Sequence, residues 1–114
     1  AYDLYLIFNE ALKLPEFREI IGTSSFTASY TGADGESCQQ TWTVGNWYQK
    51  GEEPAPEGVT VLGGKTGTTQ AAGYCLIMAS SDAAGKEYIS VVLKADSRPD
   101  LYDNMTNIIT KIVN

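Results

Sequence analysis

The sequence predicts an α+β domain in which helices flank an antiparallel sheet. Apolar residues recur at helical spacing near both ends of the 114-residue chain, and runs typical of strands lie between them. Consecutive runs are joined by short, turn-forming connections such as "SDAAGK", which suit antiparallel hairpins. A chain of this length is expected to form one small domain or part of a larger one.

Three segments carry the spacing and the end signals of helices. The first spans residues 2–13, and the second opens at Pro15 and stops at Gly22. The third follows Ser97, a suitable N-cap, with Pro99 in its first turn. The side chains expected on the buried faces are Leu4, Phe8, Ala11 and Leu12, with Tyr5 and Ile7 widening the face, then Phe17, Ile20 and Ile21, and finally Leu101, Met105, Ile108 and Ile112.

Two alternating runs in the first half of the chain predict a β-hairpin. Phe26, Ala28 and Tyr30 share one face of the first strand, and the turn-rich "TGADGES" follows. Gln40, Trp42 and Val44 share one face of the second strand. The acidic, proline-bearing stretch "QKGEEPAPEG" is expected to be a surface loop.

Three further strands are expected in the second half. The first contains Val59, Val61 and the motif "GGKTGTT"; the second, "YCLIMAS", is apolar on both faces and should be covered on both. The third, "EYISVVLKA", directs Ile89, Val91 and Leu93 inward. The chain therefore divides into a helix and hairpin region, residues 1–58, and a three-stranded meander with a terminal helix, residues 59–114.

Composition excludes several kinds of site. The net charge of −6 disfavours a nucleic-acid surface, which needs a basic stripe. Histidine is absent, so this chain alone cannot build a Ser-His-Asp or Cys-His site. Cys38 and Cys75 are too few for a disulfide framework or a metal site. One bridge between them is conceivable, and two buried free thiols are favoured.

The stretch "GGKTGTT", residues 63–69, fits one of two unrelated chemistries. A phosphate-binding P-loop needs G-x-x-x-x-G-K-[ST] and runs from a strand into a helix. The first glycine of that pattern would fall at position 59, where the chain has Val59. After Thr66 the chain continues towards another strand and not into a helix. The nucleotide-binding interpretation fails on both grounds.

The other interpretation rests on a resemblance that covers nearly all of the chain. The segments "AYDLYLIFNEAL", "PEFREI", "GGKTGTTQAAGYCL", "ISVVL" and "SRPDLYDN" resemble, in order and spacing, the low-molecular-weight penicillin-binding proteins. These are serine D-alanyl-D-alanine carboxypeptidases. The resemblance implies a partial penicillin-binding protein or β-lactamase-like transpeptidase fold, with no metal and no cofactor.

The resemblance also implies roles for individual residues. Lys65 would supply positive charge to the substrate's terminal carboxylate, and Thr66 and Thr68 would offer hydroxyls to it. Gly67 would leave the strand bare so that a substrate peptide can pair with it, and the backbone N–H of Thr68 would be one half of the oxyanion hole. Arg98 stands where the family often carries Ser-Arg before the last helix, which makes it a substrate-binding candidate; a solvated cation is the plainer interpretation.

The nucleophile and its base are missing from this chain. No serine stands three residues before a lysine, so S-x-x-K is absent, and no serine stands two residues before an asparagine, so S-x-N is absent. Tyr102-Asp103-Asn104 reads Y-x-N but falls in the last helix, after K-T-G, and is taken as an ordinary helix face. Because the chain also begins in a helix, we expect an excised C-terminal fragment of a catalytic domain that is inactive alone.

The missing upstream part has a structural consequence for strand 87–95. In the full fold this strand would have a neighbour, and a long apolar edge without one favours self-association. We expect either self-association or pairing with the upstream segment through this strand.

The implied substrates are peptidoglycan stem peptides ending in D-Ala-D-Ala, with β-lactams as covalent inhibitors, in the bacterial cell envelope outside the cytoplasmic membrane. Two alternatives stay open: a class A β-lactamase-like hydrolase, and a non-catalytic transpeptidase-like scaffold.

Trp42, Trp47 and Tyr48 could line a substrate groove or pack at its rim. Cys75 is a thiol without a histidine to activate it and is expected to be a small buried side chain.

Overall fold

A computed structural model describes residues 1–113 of the chain as four helices and five strands. The helices are α1 (Tyr2–Ala11), α2 (Pro15–Gly22), α3 (Trp47–Lys50) and α4 (Arg98–Thr110). The strands are β1 (Ser25–Thr31), β2 (Ser37–Thr43), β3 (Thr60–Thr69), β4 (Gly73–Ser81) and β5 (Glu87–Ala95). The predicted α+β class and the order of its main elements are confirmed.

The residues that were predicted to begin α2 and α4 do lie at the starts of these helices. Pro15 stands in the first turn of α2, where its missing N–H costs nothing. The side chain of Ser97 accepts a hydrogen bond from the Asp100 N–H and caps α4. The short helix α3 was not predicted, because it lies at the start of a stretch that reads as a loop; the Asn46 side chain caps it by accepting from the Tyr48 N–H.

The strands form two separate antiparallel sheets. One is the β1–β2 hairpin, and the other has the order β3-β4-β5, so β3 and β5 are its edges. Bulges interrupt both ladders of the larger sheet: Leu62 is extra in β3, and Leu93 and Lys94 of β5 lie opposite Cys75. No helix among residues 1–113 is long and apolar enough to cross a membrane.

Helices cover both faces of β4, as its continuous apolar sequence predicted. On one face α4 packs Leu101, Tyr102, Met105 and Ile109 against Leu76 and Met78. On the other face Phe8, Leu12 and Ile21 of the two N-terminal helical segments pack against Ala79. The larger sheet is thus a middle layer, with α4 on one side of it and α1 and α2 on the other.

Several side chains that were expected in the core are exposed, and in some cases a neighbouring residue is buried instead. Ile109 is fully buried in place of Ile108, and Tyr102 is buried beside Leu101. Leu93 is 42% exposed because the bulge at Lys94, whose φ is 59°, shifts the end of β5 and brings Ala95 inward instead. Four more expected core side chains are exposed: Leu4, Tyr5, Ile7 and Ile20.

The β1–β2 hairpin leaves an aromatic face uncovered. Phe26 pairs with Trp42 and Tyr30 pairs with Cys38 across the hairpin, as the predicted faces require. Phe26, Tyr30 and Trp42 are nevertheless exposed. Cys38 lies half-buried on this face, so the expectation of a buried thiol is wrong there.

Candidate functional site

The motif "GGKTGTT" occupies the second half of β3, an edge strand of the larger sheet. The two glycines before Lys65 allow neighbours to approach the strand closely. A Cβ at Gly63, whose φ is 145°, would lie 2.4 Å from the Ile21 carbonyl oxygen at the end of α2. A Cβ at Gly64 would lie 2.3 Å from the Ile77 carbonyl oxygen of β4. Both glycines are therefore required by packing.

Lys65 is exposed and free of ion pairs within residues 1–113. Its ammonium donates to the carbonyl oxygen of Thr66, the next residue of the strand. A cation with only this local partner can be approached by an anionic group from solvent.

Thr66 is half-buried, and Gly67 and Thr68 are exposed further along the strand. A Cβ at Gly67 would meet no atom of residues 1–113 within 4 Å, so this part of the structure leaves the strand open there to an approaching chain. Lys65, Thr66, Gly67 and Thr68 are consecutive residues of β3, which pairs with β4 on one side and has no neighbouring strand within residues 1–113 on the other.

A cavity of about 630 Å³ opens beside the motif. Its wall on the strand side is formed by Gly64, Lys65 and Thr66. The opposite walls come from the end of α2, from the base of the hairpin and from the segment before α3; the residues there include Ile20, Phe26, Trp42, Gly45 and Asn46. The cavity is mostly apolar, with the Lys65 cation at its strand side.

A cluster of aromatic residues fixes the start of α3 and the two residues before it. The Trp47 N–H donates to the Tyr102 hydroxyl at 3.0 Å, and the Trp47 and Tyr102 rings stack at 4.7 Å. The Tyr48 hydroxyl lies 2.7 Å from the hydroxyl of Thr106 on α4. Burial raises the pKa of Tyr48 to about 12 against the opposing effect of its bond with Thr106, and burial also raises the pKa of Tyr102.

The other candidates lie apart from the motif or serve as packing. Arg98 is exposed in the first turn of α4 and does not line the cavity. Trp42 lines the cavity, whereas Trp47 and Tyr48 pack against the core around Tyr102. Cys75 is a free thiol and only half-buried, so the expectation that it is buried is wrong.

Sequence reasoning missed Gly45 and Asn46, which stand directly beside the motif. Asn46 is 1% exposed and caps α3, and its amide nitrogen lies 3.5 Å from the Met78 sulfur. A Cβ at Gly45 would lie 3.0 Å from the Thr66 hydroxyl oxygen. The dipeptide Gly-Asn before an aromatic pair was the available signal, since Asn is a preferred N-cap.

The site and the fold together define a class. An antiparallel sheet between helices, with K-T-G on an edge strand beside an open cavity, is the arrangement expected of penicillin-recognising serine enzymes. Within that class the chain belongs to the D-alanyl-D-alanine carboxypeptidase family, whose model matches residues 1–97. No curated protein sequence matches the chain.

A solved structure supports the fold. The chain is similar to the crystal structure of D-alanyl-D-alanine carboxypeptidase from Mycobacterium tuberculosis H37Rv, with a TM-score of 0.72 and 22% sequence identity. The match covers 96% of this chain and 38% of that one. The chain therefore has part of the penicillin-binding protein-like fold, and it spans well under half the length of that relative.

Proposed function

We propose that this chain is the C-terminal part of the catalytic domain of a serine D-Ala-D-Ala carboxypeptidase and supplies its docking strand. The observation that carries the proposal is the position of K-T-G: an exposed edge strand, next to a cavity, with a lysine that has no carboxylate partner within residues 1–113. The full protein would act outside the cytoplasmic membrane on peptidoglycan stem peptides.

The four motif residues have distinct tasks in this proposal. Lys65 attracts the terminal carboxylate of the stem peptide, and the hydroxyls of Thr66 and Thr68 donate to it. The bare Gly67 admits the peptide backbone alongside β3, since nothing lies within 4 Å of a Cβ there. The Thr68 N–H donates to the developing oxyanion, a contribution that is typically worth ~10²–10³ in rate.

The reaction itself needs the serine of an S-x-x-K motif, which this chain does not contain. The serine oxygen bonds to the carbonyl carbon of the penultimate D-Ala while the amide C–N bond breaks, and the proton of the serine hydroxyl passes through the general base to the departing D-alanine amine. Water then cleaves the acyl ester, which restores the serine and releases the shortened peptide. A β-lactam would enter the first step and leave the protein acylated.

Labelling with a fluorescent penicillin tests the proposal. The full-length protein should be labelled covalently, and this chain alone should not be labelled. An unlabelled full-length protein would favour a non-catalytic scaffold and overturn the enzyme proposal. Rapid release of label with repeated turnover of the β-lactam would favour a β-lactamase-like hydrolase instead.

Replacing the motif lysine tests the docking role separately. Lys65→Ala in the full-length protein should slow labelling by roughly 10²-fold, a loss typical of removing one electrostatic donor. Lys13→Ala removes another exposed lysine, whose only ion pair within residues 1–113 is the local one with Glu10, and it should label at the wild-type rate. Equal rates for wild type and Lys65→Ala would rule out the docking role.

We further propose that the free edge of β5 pairs with another strand, from the upstream segment in the full-length protein or from a second copy of this chain in its absence. β5 has no neighbour on its outer side within residues 1–113, and the exposed Leu93 lies at its end. Unpaired edges promote such pairing, and lysine substitutions oppose it.

Sedimentation velocity over a range of concentrations tests this pairing. Leu93→Lys places a second lysine beside Lys94, next to Val92 at the end of the regular edge, and should lower the dimer fraction of the isolated chain. Leu14→Lys, at an exposed leucine outside the sheet, should not. A wild-type chain that stays monomeric at all concentrations would contradict self-association.

A further inference from the structure

The Tyr102 side chain connects helix α4 to the residues that lie beside the K-T-G motif. Tyr102 is 1% exposed, and its hydroxyl lies between two backbone groups of residues 45–47, at the start of α3. The hydroxyl accepts from the Trp47 N–H at 3.0 Å and donates to the Gly45 carbonyl oxygen at 3.4 Å. Both hydrogen-bonding capacities of the phenol are thus used on residues 45–47, more than fifty positions away in the chain.

The segment held by Tyr102 faces the K-T-G strand. Gly45 and Asn46 line the same cavity as Lys65 and Thr66. The Gly45 backbone stands so close that a Cβ there would lie 3.0 Å from the Thr66 hydroxyl oxygen. Any displacement of Gly45 therefore changes the space around the Thr66 hydroxyl directly.

Residues 45–50 depend on contacts with other elements for their position, because the helix α3 within them is very short. Helix α3 has only four residues and is followed by the left-handed Gly51 and a proline-bearing loop. A helical turn of this length is not stable by itself. Its position must come from tertiary contacts: the stacked Trp47 and Tyr102 rings, the hydroxyl bonds of Tyr102, and the buried cap of Asn46.

We propose that Tyr102 is a positioning residue that, through its bonds to Gly45 and Trp47, fixes the Gly45–Asn46 wall against Thr66 and so sets the geometry of the carboxylate-docking side of the cavity. This inference rests on the proposed function. Tyr102 lies behind the wall and does not line the cavity. It also lies on α4, beyond residues 1–97 that the family model matches, so family membership does not predict the role.

Removing the phenol oxygen tests the role with a matched control on α3. Tyr102→Phe keeps the buried ring and loses both bonds to residues 45–47. Tyr48→Phe loses a hydroxyl that bonds to Thr106 and to the Tyr102 carbonyl but to nothing in residues 45–47. In the full-length protein, Tyr102→Phe should lower the second-order rate constant for acylation by a fluorescent penicillin by about tenfold, since small displacements of positioning groups cost this much or more.

The two variants separate positioning from a merely structural role. Tyr48→Phe should acylate within about twofold of wild type even where its melting temperature falls as much as that of Tyr102→Phe. Equal acylation of Tyr102→Phe and wild type, or equal losses in the two variants, would overturn the inference. A third variant, Gly45→Ala, leaves the phenol bonds in place but presses on the Thr66 hydroxyl, and it should reproduce part of the loss.

A second readout does not depend on activity. In the isolated chain, the amide and methyl NMR resonances of Thr66 should shift in Tyr102→Phe and stay near their wild-type positions in Tyr48→Phe. Unchanged Thr66 resonances in Tyr102→Phe would overturn the inference. A wild-type full-length protein that penicillin does not label would defeat the proposed function, and the Thr66 resonances would still decide whether Tyr102 positions the wall.

Discussion

Gly64 and Gly67 stand three residues apart on β3 but lie in opposite surroundings. The position of a Cβ at Gly64 is occupied by backbone atoms of β4, which cannot move aside without breaking the ladder. The position at Gly67 is open. Gly64 is thus required by the fold, whereas Gly67 is not required by packing within residues 1–113.

Alanine substitutions should distinguish the two glycines. Gly64→Ala should lower the free energy of unfolding by about 1–3 kcal/mol or more, as overpacking does, whereas Gly67→Ala should leave it nearly unchanged. Urea denaturation of the isolated chain measures both. A large loss of stability in Gly67→Ala would show that the strand is not open at that position.

Ionisation of Tyr48 should lower the free energy of unfolding at alkaline pH. Burial raises the pKa of Tyr48 from its ordinary value of 10.0 to about 12, so the fold favours the neutral phenol. That contribution to stability is fully present below pH 10 and is lost as the pH rises towards 12. Tyr48→Phe should lack this part of the alkaline loss, and its tyrosinate absorbance titration should lack the corresponding late phase. Tyr2→Phe, at an exposed tyrosine, should retain both.

The residues that could be predicted from sequence act through local contacts. Ser97 caps a helix whose N–H lies three residues away, and Lys65 and Gly67 belong to one contiguous motif. The contacts of Tyr102 with Gly45 and Trp47 span more than fifty residues and depend on how α4 lies across the sheet. Single-sequence patterns carry no signal for such contacts.

Among the elements, α2 and β5 are joined by a two-fold hydrogen-bonded ion pair. The Arg18 guanidinium donates to both carboxylate oxygens of Glu87 at 2.8 Å. These bonds lower the pKa of Glu87 and raise the pKa of Arg18. The pair joins the helix that borders the cavity to the first residue of the free edge strand.

A double-mutant cycle with Arg18→Gln and Glu87→Gln should give a small, pH-dependent coupling energy. Both side chains are more than 40% exposed, so the coupling at neutral pH should be about 0.2–1 kcal/mol. Because the pKa of Glu87 is lowered, the coupling is present above its ordinary value of 4.5 and is lost as the pH falls through the lowered value. A coupling energy that persists in strong acid would show that it does not come from the ionised Glu87 carboxylate.

The positions of strands and helices could be predicted from their apolar patterns, whereas the burial of individual side chains was wrong at several positions, in regular helices as well as at a bulge. The apolar sequence of β4 correctly indicated cover on both faces. The inward direction of Leu93 failed because a bulge changes the side to which the following residues point. The helix α3 was missed because its stability comes from distant aromatic contacts and not from its four-residue sequence.

The molecule as a whole is more extended than a compact domain of its size. Its radius of gyration is 15.9 Å, against about 13 Å expected for a compact domain of this length. The hairpin forms its own sheet and exposes Phe26 and Trp42, whereas β4 is covered on both faces. The two sheets therefore differ in how well they are supported by packing.

Hydrogen exchange of the isolated chain should report this difference. Amides of β1 and β2 should exchange through local opening, about a hundredfold or more faster than those in the middle of β4, whose exposure requires global unfolding. Mass spectrometry of peptides covering residues 25–43 and 73–81 measures both rates. Equal protection of the two sheets would show that the hairpin opens only with the rest of the molecule.

The bulge at Leu93 and Lys94 also limits the length of any strand added to β5. Lys94 adopts a left-handed backbone conformation, so regular extended geometry along the free edge ends at Val92. The uninterrupted edge runs from residue 87 to residue 92, which at ~3.3 Å per residue is about 20 Å of chain. A complementing peptide of about six residues would fill it, and further residues would add reach without adding backbone hydrogen bonds.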